Sequence, residues 1–252
     1  VLVGLLMILY IAQFGALSIQ RHAAFQTHMR DLGNMDQPIW NTLHGRLLDK
    51  TRADGQQAPR LTDHVEPIFI PISLLFLLWD DVRALLLLQT VAIALGALPL
   101  FWLARDEIGP PAGAWLGVAL AAAYLLFPAL QAANLAEFHA VPLAVSLLLF
   151  AYYYGRRGAA GPFWLCALLA LATKEDIALI TFMLGLYLAW KGPRRRMGLA
   201  LAGISAAWFA IALFWIIPSY ARNFYAGQEH STYFGRYGEA GSGPRELLQT
   251  LL

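Results

Sequence analysis

Apolar segments long enough to cross the hydrocarbon core of a bilayer recur along this chain, and they limit its fold more than any other feature. The first, residues 1–19, lacks the basic start and the cleavage site of a signal peptide, which favours a membrane helix. We expect spans at residues 1–19, 82–104, 112–130, 141–154, 162–173, 177–190 and 197–217, of which the fifth and sixth form a short pair. The pattern predicts an all-α fold, a polytopic transmembrane helical bundle.

The composition agrees with a membrane protein. Hydrophobic residues make up 59% of the 252 residues, charged residues make up 13%, and the mean hydropathy of +0.55 exceeds that of ordinary soluble domains. The formal net charge of +2 is too small to indicate a nucleic-acid partner. Cys166 is the only cysteine, which excludes disulfides, thiolate metal sites and CxxC redox chemistry. Because the chain starts at Val1 and residues 247–252 resemble the start of another apolar segment, we interpret residues 1–252 as one membrane domain of a longer protein.

Short basic loops indicate the orientation of the chain. Residues 155–158 and 191–196 carry arginines between spans, so the positive-inside rule places them in the cytoplasm. Residues 67–79 are apolar but number only about 13 and include two prolines, which is typical of a juxtamembrane helix and not of a span. The N-terminus is then cytoplasmic, residues 20–81 form an outer loop, and residues 218–252 form an outer segment.

The outer loop begins with an amphipathic segment, DLGNMDQPIWNTLHGR at residues 31–46, which carries two carboxylates just after the first span. We expect a juxtamembrane helix at about residues 34–44, with Asn34 as N-cap and Gln37 three residues on, Pro38 in the first turn and Gly45 as the stop. Its apolar side would lie along the membrane and its polar side along an aqueous cleft. The apolar side is formed by Ile39, Trp40 and Leu43.

Ionisable residues at membrane depth are costly, and their usual explanation is a functional site. The predicted topology brings the candidates to the outer face: Asp31, Asp36, His64, Glu66, Glu137, His139, Lys174, Glu175, Asp176, Arg222 and Arg236. Each group also has a structural interpretation. The acids of residues 31–46 can cap a helix, Lys174 can form an ion pair with Glu175 or Asp176 that closes the elbow between the two short spans, and the remaining groups can be solvated. We expect the Lys174 ammonium to lie near a carboxylate, Glu175, Asp176 or one of the outer loop, because a lone ammonium at membrane depth is strongly disfavoured.

Several motifs resemble a known family. The outer-loop motif DLGNMDQPIWNTLHG, NLAEFH at residues 134–139 and TKED at residues 173–176 are similar to those of an uncharacterised family of predicted bacterial and archaeal membrane proteins, which is grouped with the GT-C glycosyltransferase superfamily. The resemblance covers essentially the whole chain. It implies a GT-C-like bundle in a prokaryotic cytoplasmic membrane, with an active face outside, short juxtamembrane helices in the first outer loop, and a polyprenyl-phosphate-linked sugar as donor.

The resemblance also implies an essential acid in the outer loop. Asp31 matches that acid by its spacing to Gly45, and Asp36 is the alternative. Leu32 follows Asp31 where a second acid would complete a metal-binding pair, so the use of a divalent cation stays open.

Sugar transfer from a lipid phosphate needs a carboxylate to accept a proton, cations to stabilise the leaving phosphate, and an apolar groove for the lipid. Asp31 or Asp36 is the expected catalytic base, and the expected phosphate contacts are Lys174, Arg222 and Arg236. The supporting acidic and histidine residues are His64, Glu66, Glu137, His139, Glu175 and Asp176. A divalent cation, if one is used, would be held by Asp31, Glu137 and His139. The expected partners are membrane lipids, a lipid-linked sugar donor and other membrane proteins.

The main alternative is a non-catalytic integral membrane subunit of a larger complex, in which the outer charges would be neutralised one by one. A transporter is disfavoured because the sequence has no inverted repeat and no matching broken helices. A haem or pigment site is the weakest alternative, since His139 lies at a helix end without a second axial ligand of distinctive spacing.

Overall fold

The computed structural model describes residues 1–52 and 54–224, without the side chains of residues 29 and 30. This part is largely helical, with one small β-hairpin. The helices are α1 (Leu2–Ala23), α2 (Met29–Leu43), α3 (Phe69–Ser73), α4 (Arg83–Leu95), α5 (Ala97–Ile108), α6 (Ala112–Leu125), α7 (Pro128–Leu135), α8 (Val141–Arg157), α9 (Ala160–Leu171), α10 (Ile177–Lys191), α11 (Arg195–Ile211) and α12 (Ile217–Phe224). The antiparallel strands are β1 (Asp49–Thr51) and β2 (Gln57–Pro59). Shorter turns are the 3-10 helices Arg60–Thr62 and Leu74–Leu77 and the π-helical turn Ala212–Ile216.

Within the described part, three helical runs are long and apolar enough to cross a membrane by length and composition. They are α1, the α4–α5 run at Arg83–Ile108 and the α11–α12 run at Arg195–Phe224. The α6–α7 pair is a fourth if its bent halves count as one span. Helices α8, α9 and α10 have 17, 12 and 15 residues, fewer than the roughly 20 that cross hydrocarbon upright. Their crossing stays a prediction.

Pro128 explains the bend between α6 and α7, which measures 47°. It is the first residue of α7, and Phe127 before it adopts an extended conformation with φ −64° and ψ 117°. A proline disfavours the helical conformation in the residue that precedes it, so α6 ends short of Phe127. The span expected at residues 112–130 is therefore bent at Pro128.

The helix ends form two groups. At the first, which we call the arginine end, Arg157 and Tyr153 of α8 donate hydrogen bonds to Asp106 of α5, and Arg156 donates to Glu107. The basic residues 191–196 belong to the same end, because Arg194 lies against the turn after α8. At the opposite end, the α2 end, α2, α3 and the hairpin form a layer across the helices.

This layer is held by an apolar cluster. Leu32, Met35 and Ile39 of α2 are buried against Leu85 at the start of α4 and Phe138 in the corner before α8. Trp40 and Leu43 pack against the same cluster. The apolar side of α2 therefore faces the bundle, and the prediction that it would lie along the membrane is wrong. Burial of side chains of this size stabilises by about 1.5–3 kcal/mol each.

The helix itself starts earlier than the capping pattern predicts. It begins at Met29 with His28 as N-cap, so Asn34 lies in its interior, and the predicted start at Asn34 is wrong. Pro38 is also interior, where its missing N–H removes the bond to the Asn34 carbonyl. Gln37 is bound to Thr51 of the hairpin. The stop is as expected, since Gly45 follows the helix with a φ of +79°.

The hairpin is an addition to the expected all-α fold. Lys50 pairs with Ala58, and Gly55 in the turn has a φ of +82°, which glycine adopts without strain. The segment at residues 67–79 contains only α3 and one 3-10 turn, together nine residues. Its flanks both lie at the α2 end: the Ile68 N–H donates to the Ala172 carbonyl, and the Trp40 indole donates to Asp80.

Candidate functional site

The sequence-predicted ionisable residues within residues 1–52 and 54–224 lie at the α2 end. Bonds between distant segments bring them there: His28 contacts Glu137, His64 contacts Glu175, and α12, which carries Arg222, packs against the 3-10 turn Arg60–Thr62. Arg236 lies outside the described residues.

The N-terminus of α2 is bound by Glu137. Its Oε1 accepts the His28 backbone N–H at 2.7 Å, and His28 Nδ1 lies 3.9 Å from Oδ2 of Asp31. Burial raises the pKa of Glu137, but the His28 N–H and the nearby His28 and His139 rings outweigh it and lower the pKa overall. The Asp31 side chain is 53% exposed. Asp31 is therefore accessible to solvent, whereas Glu137 is already bound to the His28 N–H.

A buried amide positions the corner that carries Glu137 and His139. Gln89 of α4 is fully buried, its amide oxygen accepts the His139 N–H at 2.8 Å, and its amide nitrogen donates to the Ala133 carbonyl at 3.2 Å. Thr90 donates to the Asn134 side chain at 3.1 Å. Gln89 was not among the predicted site residues, although a Gln-Thr pair inside an apolar span is a signal of buried hydrogen bonding.

Asp36 differs from Asp31 in environment. It is half-buried on α2, and its pKa is raised to about 6 because burial disfavours its charged form and Asp80 and Asp81 repel it, while His22 acts in the opposite direction. A carboxylate of this pKa accepts a proton near neutral pH better than an ordinary one.

The elbow between α9 and α10 is anchored by Glu175, which is completely buried. Its two oxygens accept hydrogen bonds from His64 Nδ1 at 2.8 Å and from the Val65 backbone N–H at 2.9 Å. Burial raises the pKa of Glu175, but the His64 contact and the Val65 N–H outweigh it, so the pKa lies below its usual range. Lys174 pairs with Asp176 at 3.2 Å, which confirms the expected pairing of this ammonium with a carboxylate.

Glu66 forms an ion pair with a residue that was not among the predicted site residues. Arg60 Nε donates to it at 2.5 Å, and both side chains are buried. A second pair joins Lys50 of β1 to Asp63. Arg60 carries no distinctive spacing, and only the fold shows that it faces Glu66. These ion pairs hold the outer loop together and neutralise the charges of Glu66 and Asp63.

An apolar groove of about 430 Å³ lies at the α2 end between the outer loop and the α11–α12 run. Leu61, Val65 and Ile70 form one wall, and Trp208 and Tyr220 belong to the other. The Trp208 indole N–H is buried and has no acceptor among the described residues. The groove therefore has apolar walls, and the unpaired Trp208 N–H lies buried behind them.

The described residues contain no group of three or more His, Cys, Asp or Glu side chains arranged to hold a metal ion. Asp31, Glu137 and His139, the expected ligands of a divalent cation if one is used, are thus not arranged as a metal site. Glu137 is bound to the His28 N–H, and the His139 ring nitrogen contacts the Glu137 carbonyl.

Comparison with known proteins gives one result at the family level. Neither the curated proteins nor the solved structures contain a match to the chain. A family described as "Predicted membrane protein (DUF2079)" matches residues 21–252, which include α2, the corner before α8 and the elbow at Glu175. The chain therefore belongs to this family of predicted membrane proteins.

Proposed function

We propose that this protein transfers a sugar from a polyprenyl-phosphate donor at the α2 end of the bundle, which would be the outer face of the membrane. One observation carries the proposal: a half-buried carboxylate with a raised pKa, Asp36, occurs at the same end as an apolar groove. The first supplies a base and the second receives a lipid chain.

The reaction needs few groups. The oxygen of the acceptor hydroxyl forms a bond to the anomeric carbon while the bond from that carbon to the phosphate oxygen breaks. The electron pair leaves with the lipid phosphate, and the acceptor proton passes to the carboxylate. Transfer in a single step inverts the anomeric centre and requires no enzyme nucleophile.

The groove suits the donor lipid in this scheme. Its walls are aliphatic and aromatic, which suits an isoprenoid chain. Lys174 and Arg222 are the cations proposed to stabilise the leaving phosphate. Lys174 neighbours Glu175, which is bound to the groove residue Val65, and Arg222 follows the groove residue Tyr220 by two positions. Arg236 stays a sequence-based candidate for the same role.

The two acids of α2 compete for the role of base. Asp36 is favoured by its burial and its pKa of about 6. Asp31 is favoured by the family resemblance and is the more exposed of the two. The proposal assigns the proton to Asp36 and retains Asp31 as the alternative.

The test is transfer by the purified full chain in proteoliposomes that contain a labelled polyprenyl-phosphate sugar and a soluble acceptor. Removal of a general base lowers the rate about 10² to 10⁴-fold. Asp36→Asn should show this loss while retaining donor binding, and Asp31→Asn should retain most of the rate. Loss confined to Asp31→Asn would transfer the role to Asp31. Full activity of both variants would contradict an α2 carboxylate as base.

A non-catalytic subunit is the second candidate, and the ion pairs favour it. Arg60 neutralises Glu66, Lys50 neutralises Asp63, and Lys174 neutralises Asp176. Under this hypothesis the purified chain binds no lipid-linked sugar, and Asp36→Asn leaves the function of the assembled complex intact.

A further inference from the structure

A cavity of about 460 Å³ lies at the arginine end, opposite the proposed transfer site. It is open to the surface and bordered by the N-terminal turns of α9 and α11, and it is lined by Ala160, Trp164, Arg194, Arg195, Arg196 and Met197. We call it the arginine pocket. Three adjacent guanidinium groups around one cavity form a strongly positive surface.

The arginines of the pocket differ from their neighbours. At the same end, Arg156 donates to Glu107 at 2.7 Å and Arg157 donates to Asp106 at 2.5 Å. Among the described residues, none of the three pocket arginines lies within ion-pair distance of a carboxylate. No acid occupies the first turn of α11. The positive charge of the pocket is thus not neutralised by this part of the chain.

Trp164 and Met197 form the apolar side of the pocket. Trp164 packs edge-on against the fully buried Phe163, with ring centroids 5.1 Å apart, and Met197 is buried. Gly158, at a φ of +65°, lies beside the Arg194 side chain, since a Cβ added there would be in van der Waals contact with Arg194 Nε at 3.4 Å. The pocket therefore has an apolar side and a cationic side.

Its position matches the surface of a bilayer. It lies at the ends of apolar helices, and nearby Trp190 is 76% exposed with the Lys191 ammonium 4.1 Å from its ring centroid. Exposed tryptophan next to basic residues is typical of the layer of lipid headgroups. A ligand in this pocket would have its charge at headgroup level and its apolar part toward the hydrocarbon.

We propose that the arginine pocket binds the phosphate of an anionic membrane phospholipid. The shared chemistry is a phosphate oxyanion, to which arginine donates two parallel hydrogen bonds. A lipid source is favoured over free phosphate because Trp164 and Met197 supply an apolar wall that free phosphate does not use. The inference is independent of the proposed sugar transfer.

The test is native mass spectrometry of the full chain in detergent, titrated with phosphatidylglycerol, with phosphatidylcholine of the same acyl chains, or with inorganic phosphate. We expect phosphatidylglycerol to bind at least about tenfold more tightly than phosphatidylcholine, because the latter carries a compensating cation. Equal binding of the two lipids, or displacement of phosphatidylglycerol by an equal concentration of inorganic phosphate, would overturn the proposal.

Variants locate the site. Arg195→Gln should weaken phosphatidylglycerol about tenfold, whereas Arg105→Gln removes one charge from the same end outside the pocket and should change binding little. Arg195→Lys retains the charge without the two-pronged geometry and should give an intermediate loss, which decides the question if Arg195→Gln does not fold. If Arg105→Gln and Arg195→Gln weaken phosphatidylglycerol binding equally, the lipid responds only to the general surface charge, and the proposed binding in the arginine pocket is wrong.

Discussion

His64 Nδ1 lies 2.8 Å from Oε1 of the buried Glu175, although 111 residues separate them in the chain. With the Val65 N–H on the other oxygen, this contact ties the outer loop to the elbow between α9 and α10. An acid completely removed from solvent is stable there only because both oxygens are bound.

We therefore expect Glu175→Leu to destabilise the protein by about 3 kcal/mol, since it removes the acceptor of the Val65 N–H and the contact between Glu175 and the His64 ring. The measurement is unfolding in mixed micelles at pH 7. Glu107→Gln, which removes one partner of an exposed pair, is the control and should cost less than about 1 kcal/mol. Similar losses of stability in both variants would show that the buried Glu175 contacts stabilise the protein no more than an exposed ion pair does.

The Glu175 contact should also make stability depend on pH. The folded pKa of Glu175 lies below its ordinary value of 4.5, so the folded state binds this proton less tightly than the unfolded state. Its contribution is fully present above about pH 4.5 and is lost as pH falls through the lowered folded pKa. The stability difference between wild type and Glu175→Gln should shrink as the pH falls below 4.5, and a difference that grows there would contradict the assignment.

Ionisation of Asp36 changes the stability of the protein with pH in the opposite direction. Its folded pKa is raised from 3.8 to about 6, so the charged form is disfavoured in the folded state and the associated cost appears as pH rises through about 6. Asp36→Asn should stabilise the protein at pH 8 by about 1 kcal/mol, after allowance for solvent screening of this partly exposed group. The gain should vanish below pH 3.8. Asp31→Asn should change stability by less than about 0.5 kcal/mol.

The same residue predicts the pH dependence of sugar transfer. If Asp36 is the base, the rate rises with pH through about 6. Asp80→Asn removes a neighbouring negative charge but can still accept the Trp40 N–H, so it should move the midpoint to lower pH with little change in the maximal rate. If the midpoint of the pH–rate profile does not shift in Asp80→Asn, a group other than Asp36 controls the rate.

The packing of α10 on α11 should tolerate no added atom at Gly198. A Cβ there would lie 2.3 Å from the Ala189 backbone nitrogen and 2.6 Å from the Gly185 carbonyl oxygen. We expect Gly198→Ala to cost about 1–3 kcal/mol, because the helices must separate. Gly203→Ala on the same helix meets nothing within 4 Å and should be neutral or slightly stabilising. Unfolding in micelles compares the two variants directly.

The sequence predicted the helical character and the position of the main apolar runs because these depend on local hydropathy and proline. It also predicted that Lys174 would pair with a carboxylate. It did not predict the start of α2, because the Glu137 carboxylate that binds the N-terminus is 109 residues away. The partners of Glu66 and Glu175 were missed for the same reason, since Arg60 and His64 meet them only after the outer loop has folded. The hairpin had a local signal in Asp54-Gly55, a pair common in tight turns.

Helix α2 is fastened at two points to different parts of the bundle. The backbone N–H of His28 is held by the corner before α8, and Trp40 is held by Asp80 just ahead of α4. Twelve residues of helix separate these two points, a length of about 18 Å. A helix does not stretch, so α2 acts as a spacer of fixed length between the two attachment points. Any change in their separation must break one of these two hydrogen bonds or tilt α2, and with it the Asp31 and Asp36 carboxylates.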